Sequence, residues 1–154
     1  MALLKNVALL FFLAAVTTVL AKDFRLRLAV EGGQVRELVL GIQEKATDGI
    51  DPELDILVPP FGMGTGIVGL VPDGQENNLL YRDIRGPSLP KTWRVSLAPA
   101  NRSIVLNWKI EELPPDTDCQ LEYEGAKIDM RRLLRLSVKK KTILTLTISP
   151  RKKP

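Results

Sequence analysis

Four carboxylates fall within eight residues of one segment: Asp48, Asp51, Glu53 and Asp55, with Gly49 among them to permit a tight bend. Hard oxygen donors this close together suit calcium, which takes about six to eight oxygens and accepts backbone carbonyls as well. The Asp-x-x-Asp-x-Glu-x-Asp spacing lacks the ligand ladder of an EF-hand. The competing reading is a loop in which Asp48 and Asp51 accept hydrogen bonds from neighbouring amides. A hydrolase pair, Asp51 with Asp55 or Glu111 with Glu112, needs carboxyls roughly 5–9.5 Å apart across a cleft. No cleft is signalled, and adjacent Glu111 and Glu112 point apart on an extended chain. The chain therefore reads as non-enzymatic.

Two basic clusters are the other charged candidates: Lys139, Lys140 and Lys141, and the tail residues Arg151, Lys152 and Lys153. Together they suggest one positive end that meets an anionic polysaccharide, lipid headgroups or acidic neighbours, weakened by salt. The competing reading is a pair of solvated charge runs. Asn101-Arg102-Ser103 matches the N-glycosylation triplet in an expected loop. Among 154 residues there is no histidine, which excludes Ser-His-Asp and Cys-His catalysis and any histidine-ligated metal. The single cysteine, Cys119, cannot form an intramolecular disulfide, and its alternation with Leu121 and Tyr123 makes it a small buried side chain rather than an intermolecular bridge. Trp93 and Trp108 invite a sugar-stacking reading, but each lies in register with the aliphatic residues of its own strand, which turns both inward. Tyr81 and Phe61 are left as candidate exposed aromatics, thin support for such a face.

The elements that must position these residues are strands. Phe24, Leu26, Leu28 and Val30 alternate with Arg25, Arg27 and Glu31, and Gly32-Gly33 turns the chain into a second strand ending at Ile42. Residues 46–60 read as an ordered acidic loop and an extended crossing closed by Pro59-Pro60. A glycine-rich stretch leads to a short strand over 67–71, and Pro72-Asp73-Gly74 is a turn. Alternation returns over 79–85, 92–97, 104–110, 119–124, 127–130, 134–138 and 142–148, with residues 139–141 as a solvated hairpin turn. No convincing helix appears, since 131–135 is too short to stand alone. About nine short strands predict an all-β, antiparallel two-sheet sandwich. The segments 24–31 and 142–149 are expected as edges, with arginines and lysines disfavouring assembly, which predicts a monomer or weak oligomer.

Export is the other expectation. Residues 1–21 combine Lys5, an apolar run from Val7 and the small residues Val19 and Ala21, the layout of a signal peptide helix cleaved before Lys22. The alternative is an uncleaved leader as the only membrane contact; the run is short beside the roughly 20 residues of a span. Residues 22–149 then form one β-sandwich domain, and 150–154 a basic C-terminal tail. The 21 basic and 18 acidic side chains left after Lys5 departs are too balanced to argue for nucleic acid.

The ordered set Ala46-Thr47-Asp48-Gly49-Ile50-Asp51, Pro59-Pro60, Asp83-Ile84-Arg85-Gly86-Pro87, Thr92-Trp93-Arg94-Val95, Val105-Leu106-Asn107-Trp108, Leu113-Pro114 and Ile128-Asp129-Met130-Arg131 resembles an immunoglobulin-like or fibronectin-like module of secreted bacterial surface proteins. The resemblance runs from about Val35 to Ile148. It implies an immunoglobulin-like sandwich and a non-catalytic structural or adhesive role among surface proteins or polysaccharide, in the periplasm or at the cell surface. A ligand-binding module for calcium or carbohydrate is the alternative. The paired cysteines of antibody-type domains are absent, and no binding residue is carried over.

Overall fold

Apolar residues at every second position form strands because successive side chains leave a strand on opposite faces. The computed structural model describes residues 18–59 and 64–153 and shows thirteen strands there. They are β1 (Val19–Leu20), β2 (Phe24–Glu31), β3 (Glu37–Ile42), β4 (Ile56–Leu57), β5 (Ile67–Val71), β6 (Leu80–Arg85) and β7 (Ser88–Leu89). β8 (Lys91–Ala98), β9 (Ile104–Asn107), β10 (Thr117–Tyr123), β11 (Ala126–Asp129), β12 (Arg135–Val138) and β13 (Thr142–Pro150) complete the set. Ten have four or more residues; β1, β4 and β7 are two-residue strands that periodicity could not reveal. The only helical turn among the described residues is a 3-10 turn at Ile110–Glu112.

One sheet carries eleven strands, in the path β11-β10-β13-β8-β5-β6-β3-β2-β9-β12 with β4 on β6, while β1 and β7 pair separately. The expectation of a purely antiparallel fold is corrected: β3 and β6 run parallel from Val39↔Arg82 to Ile42↔Arg85. A parallel pair needs a long crossover, supplied here by the segment containing β4 and β5. The path narrows at β5 and β6 to one residue pair, Leu70↔Leu80. Its two ends, β11 and β12, follow one another in sequence, so five residues, spanning at most about 20 Å when extended, join opposite margins of the sheet. That short link requires the sheet to curl.

Curling brings the apolar faces together. Leu26, Leu28, Leu38 and Leu40 from one half and Trp93, Val95, Leu97, Leu144, Leu146 and Ile148 from the other belong to one buried cluster. Each such aliphatic side chain contributes about 1.5–3 kcal/mol relative to exposure. Trp93 is fully buried and Trp108 is 5% exposed, as their register predicts. Cys119 is buried and free. Gly32 takes φ +86°, and a Cβ there would run into the Ser103 carbonyl, so the β2–β3 turn needs glycine.

Several local expectations are revised. β2 and β13 lie inside the sheet, and the edges are β11 and β12. β12 pairs with β9, whereas β13 pairs with β8 and β10, so residues 139–141 cross between sheet regions and do not turn a hairpin. β9 stops at Asn107, and Ile110 is exposed in the 3-10 turn. β13 runs one residue into the expected tail, to Pro150 opposite Thr117. Residues 1–17 and Phe61 lie outside the described residues. The last residues of the expected leader are extended: β1 pairs with β7, and Ala21 N–H donates to Pro87 O at 2.8 Å.

Candidate functional site

The acidic loop and β6 build a buried ionic cluster together. Asp83 and Arg85 sit two apart on β6, hence on one face, and are 2% and 4% exposed. Arg85 Nη2 donates to Asp83 Oδ2 at 2.9 Å, and Arg85 Nε donates to the same oxygen at 3.1 Å. Arg85 Nη1 reaches Thr92 O of β8 at 2.8 Å and Asp73 Oδ2 at 3.4 Å. The guanidinium lies 5.6 Å from the centroid of the Trp93 ring, within cation–π range. One side chain thus ties β6 to β8, beside the single-pair junction of the sheet.

Asp55 precedes β4, whose Ile56 pairs with Arg82 of β6. Its carboxylate continues that lane: Oδ1 accepts from Ile84 N–H at 2.7 Å, and Oδ2 accepts from Asp51 N–H at 2.6 Å. Asp48 Oδ1 accepts from Lys91 Nζ at 2.6 Å and Gly86 N–H at 3.1 Å. Asp51 accepts from both the N–H and the hydroxyl of Thr47, at 2.7 and 2.8 Å. Glu53 has an exposed side chain, and its backbone carbonyl accepts from Arg82, as does Leu54 O. The four expected calcium ligands are therefore close in sequence but directed at different partners. Among the described residues no group of three or more His, Cys, Asp or Glu side chains is arranged to hold a metal ion.

Burial and pairing push these carboxyls in opposite directions. Burial raises the Asp83 carboxyl above its ordinary value and outweighs the hydrogen bond and charge of Arg85. Burial also raises Asp55, against the Ile84 and Asp51 amides. Burial acts upward on Asp48 too, but the Lys91 hydrogen bond and charge, with the Gly86 amide and Arg85, hold it below its ordinary value. A cavity of about 50 Å³ lies between Asp48, Asp73, Asp83 and Arg85, space on the scale of a water or two. The cluster can hold the loop to the sheet; the cavity is too small for an organic substrate.

The two basic clusters do not form one positive end. Lys139, Lys140 and Lys141 precede β13, and Arg151, Lys152 and Lys153 follow it. That nine-residue strand separates them by roughly 30 Å. Arg151 also lies 3.8 Å from Asp118, which offsets its charge. Burial raises the Cys119 thiol, which makes it a poor nucleophile. Asn101 and Arg102 of the glycosylation triplet are exposed.

Sequence reasoning missed Asp73, Asp83, Arg85 and Lys91. The available signal was Asp83-Ile84-Arg85, opposite charges two apart on one strand face. No family model, curated protein or solved structure matches this chain.

Proposed function

We propose that this chain is a secreted, non-catalytic structural or adhesive surface module with an immunoglobulin-like sandwich fold. The observation that supports it best is the Arg85 clamp. The side chains with the strongest chemistry, Asp48, Asp55, Asp83, Arg85 and Lys91, hold a loop and two strands together. Ionic groups used this way favour a single rigid arrangement, which suits a load-transmitting or presenting domain. The narrow Leu70↔Leu80 junction supports reading the curled sheet as two facing leaves, five strands of the path in each, with β4 added to the leaf that holds β6. The resemblance to bacterial surface modules agrees with that reading, as does the leader-like N-terminus.

Fractionation of the producing cells, with mass spectrometry of the N-terminus, tests the proposal. The expected result is a chain beginning at Lys22 outside the cytoplasm, with reduced surface adhesion or assembly in cells lacking it. A cytoplasmic chain that keeps Met1, or deletion cells with an intact surface, sinks the reading. The calcium alternative loses support because Asp48, Asp51 and Asp55 each have protein partners.

A further inference from the structure

The outer face of β2, β3 and β9 contains a notch set by register. Ala29 of β2 pairs with Glu37 of β3 on one side and Asn107 of β9 on the other. Paired residues share a sheet face, so a carboxylate and an amide flank a single methyl group. Two strand spacings put them about 10 Å apart. The notch deepens because β9 ends at Asn107 while β2 continues to Phe24. The chain leaves through Trp108 and Lys109, and Glu112 of the 3-10 turn fills the vacated lane, accepting from Arg27 N–H at 2.8 Å. The result is an open groove of about 310 Å³, at the lower end of the size range for ligand sites.

Its chemistry selects a class of ligand. Arg27 and Lys109 balance Glu37 and Glu112, so the groove offers no net charge to an anion or a cation. Arg27 and Glu112 pair at 3.3 Å. The side chains of Glu37 and Lys109 have no hydrogen-bond or ion-pair partner among the described residues. Asn107 Nδ2 donates to Glu31, leaving Oδ1 free to accept. Donors and acceptors therefore surround an apolar floor made by the Ala29 methyl. Trp108 borders the groove but belongs to the core: it is 5% exposed and its indole N–H donates to Met130 O at 2.9 Å, so the apolar surface offered to a ligand is the Ala29 methyl. A sugar ring offers the complement: hydroxyls that both donate and accept, around an apolar face of C–H groups.

The geometry points to this groove as a binding site for neutral polysaccharide, with one sugar ring seated over Ala29 between Glu37 and Asn107. The inference rests on the adhesive half of the proposed function and gives it a ligand class. Glu37 accepts from hydroxyls, Lys109 donates, and Asn107 Oδ1 takes a further hydroxyl. Selection among sugars comes from hydroxyl orientation, because a misdirected hydroxyl leaves a polar group unpaired.

The test is isothermal titration of the full chain, and of its exported form, with neutral gluco-, manno- and galacto-oligosaccharides, beside sulfated and uronic acid oligosaccharides. At least one neutral series is expected to bind, with little dependence on salt. Ala29→Arg fills the notch at an exposed strand position and is expected to weaken binding at least about tenfold, whereas Ala29→Ser retains it. Glu37→Gln and Asn107→Ala are each expected to weaken it several-fold. Circular dichroism and the urea midpoint of Ala29→Arg establish that it is folded. Failure of every neutral oligosaccharide to bind overturns the inference, as does salt-sensitive binding of the anionic series alone. Undiminished binding by folded Ala29→Arg also overturns it, while leaving the adhesive reading in place. The cell fractionation above tests that reading separately.

Discussion

The indole N–H of Trp108 donates to the backbone carbonyl of Met130 at 2.9 Å, across the seam where the two ends of the sheet meet. Trp108 follows β9, next to one margin; Met130 follows β11, the other margin. The backbone N–H of Trp108 also donates to Leu134 O, so one residue holds both ends of the link between β11 and β12. A buried indole normally needs such a partner, and here the partner closes the fold.

Trp108→Phe keeps most of the apolar volume but leaves the Met130 carbonyl without the indole donor. It is expected to lower stability by about 1–3 kcal/mol, and Trp108→Ala by about 3–5 kcal/mol through the cavity it adds. Urea unfolding of both variants checks this. If Trp108 were a surface platform, both would unfold with the wild type.

Strand positions were readable because burial imposes period two on β2, β8 and β13, and inward-facing Trp93 followed from the same count. Strand order was not readable. Nothing local to Lys139 says that β12 goes to β9 and β13 to β8, because those pairings depend on contacts distant in sequence. The cluster was half legible. Asp48 and Asp55 stood out by density, but their partners Lys91 and Ile84 lie 43 and 29 residues away. Proximity in sequence made the loop look like a metal site, whereas the folded chain brings a different donor to each carboxylate.

Arg85 is the countercharge for a nearly inaccessible Asp83. Arg85→Met leaves that carboxylate uncompensated and is expected to destabilise by about 3–5 kcal/mol, while Asp83→Asn with Arg85→Met restores part of the loss. A double-mutant cycle by urea denaturation measures the coupling. An effect within about 0.5 kcal/mol for Arg85→Met would reduce the clamp to an ordinary surface pair.

The raised Asp83 carboxyl gives stability a definite pH dependence. Between the ordinary value of 3.8 and the higher folded value, the native state binds more protons than the unfolded chain, so stability falls as pH rises through that window. Asp55 acts in the same direction. Asp48, held low, acts oppositely: its contribution is complete above 3.8 and is lost as pH falls through its folded value. Asp83→Asn removes one titration, so the difference in stability between wild type and variant is expected to favour wild type more at acid pH than at neutral pH. Urea midpoints across that range decide it, and a difference with the opposite slope rules out the assignment.

A chain beginning at Lys22 lacks β1 and loses the Val19↔Leu89 and Leu20↔Ser88 pairs with the Ala21–Pro87 hydrogen bond. The apolar loss is small, because Val19 and Leu20 are 39% and 71% exposed where they sit. Leu89, 7% exposed with β1 in place, becomes more accessible, but the main core cluster keeps its other members. The expected destabilisation is about 1 kcal/mol. Hydrogen exchange should quicken around residues 87–89 while β8 stays protected, since β8 pairs with β13 and β5 independently of β1. Comparing the two chain lengths by urea unfolding and exchange mass spectrometry tests both parts. A loss of several kcal/mol would make residues 18–21 an integral strand of the domain and move its boundary ahead of Lys22.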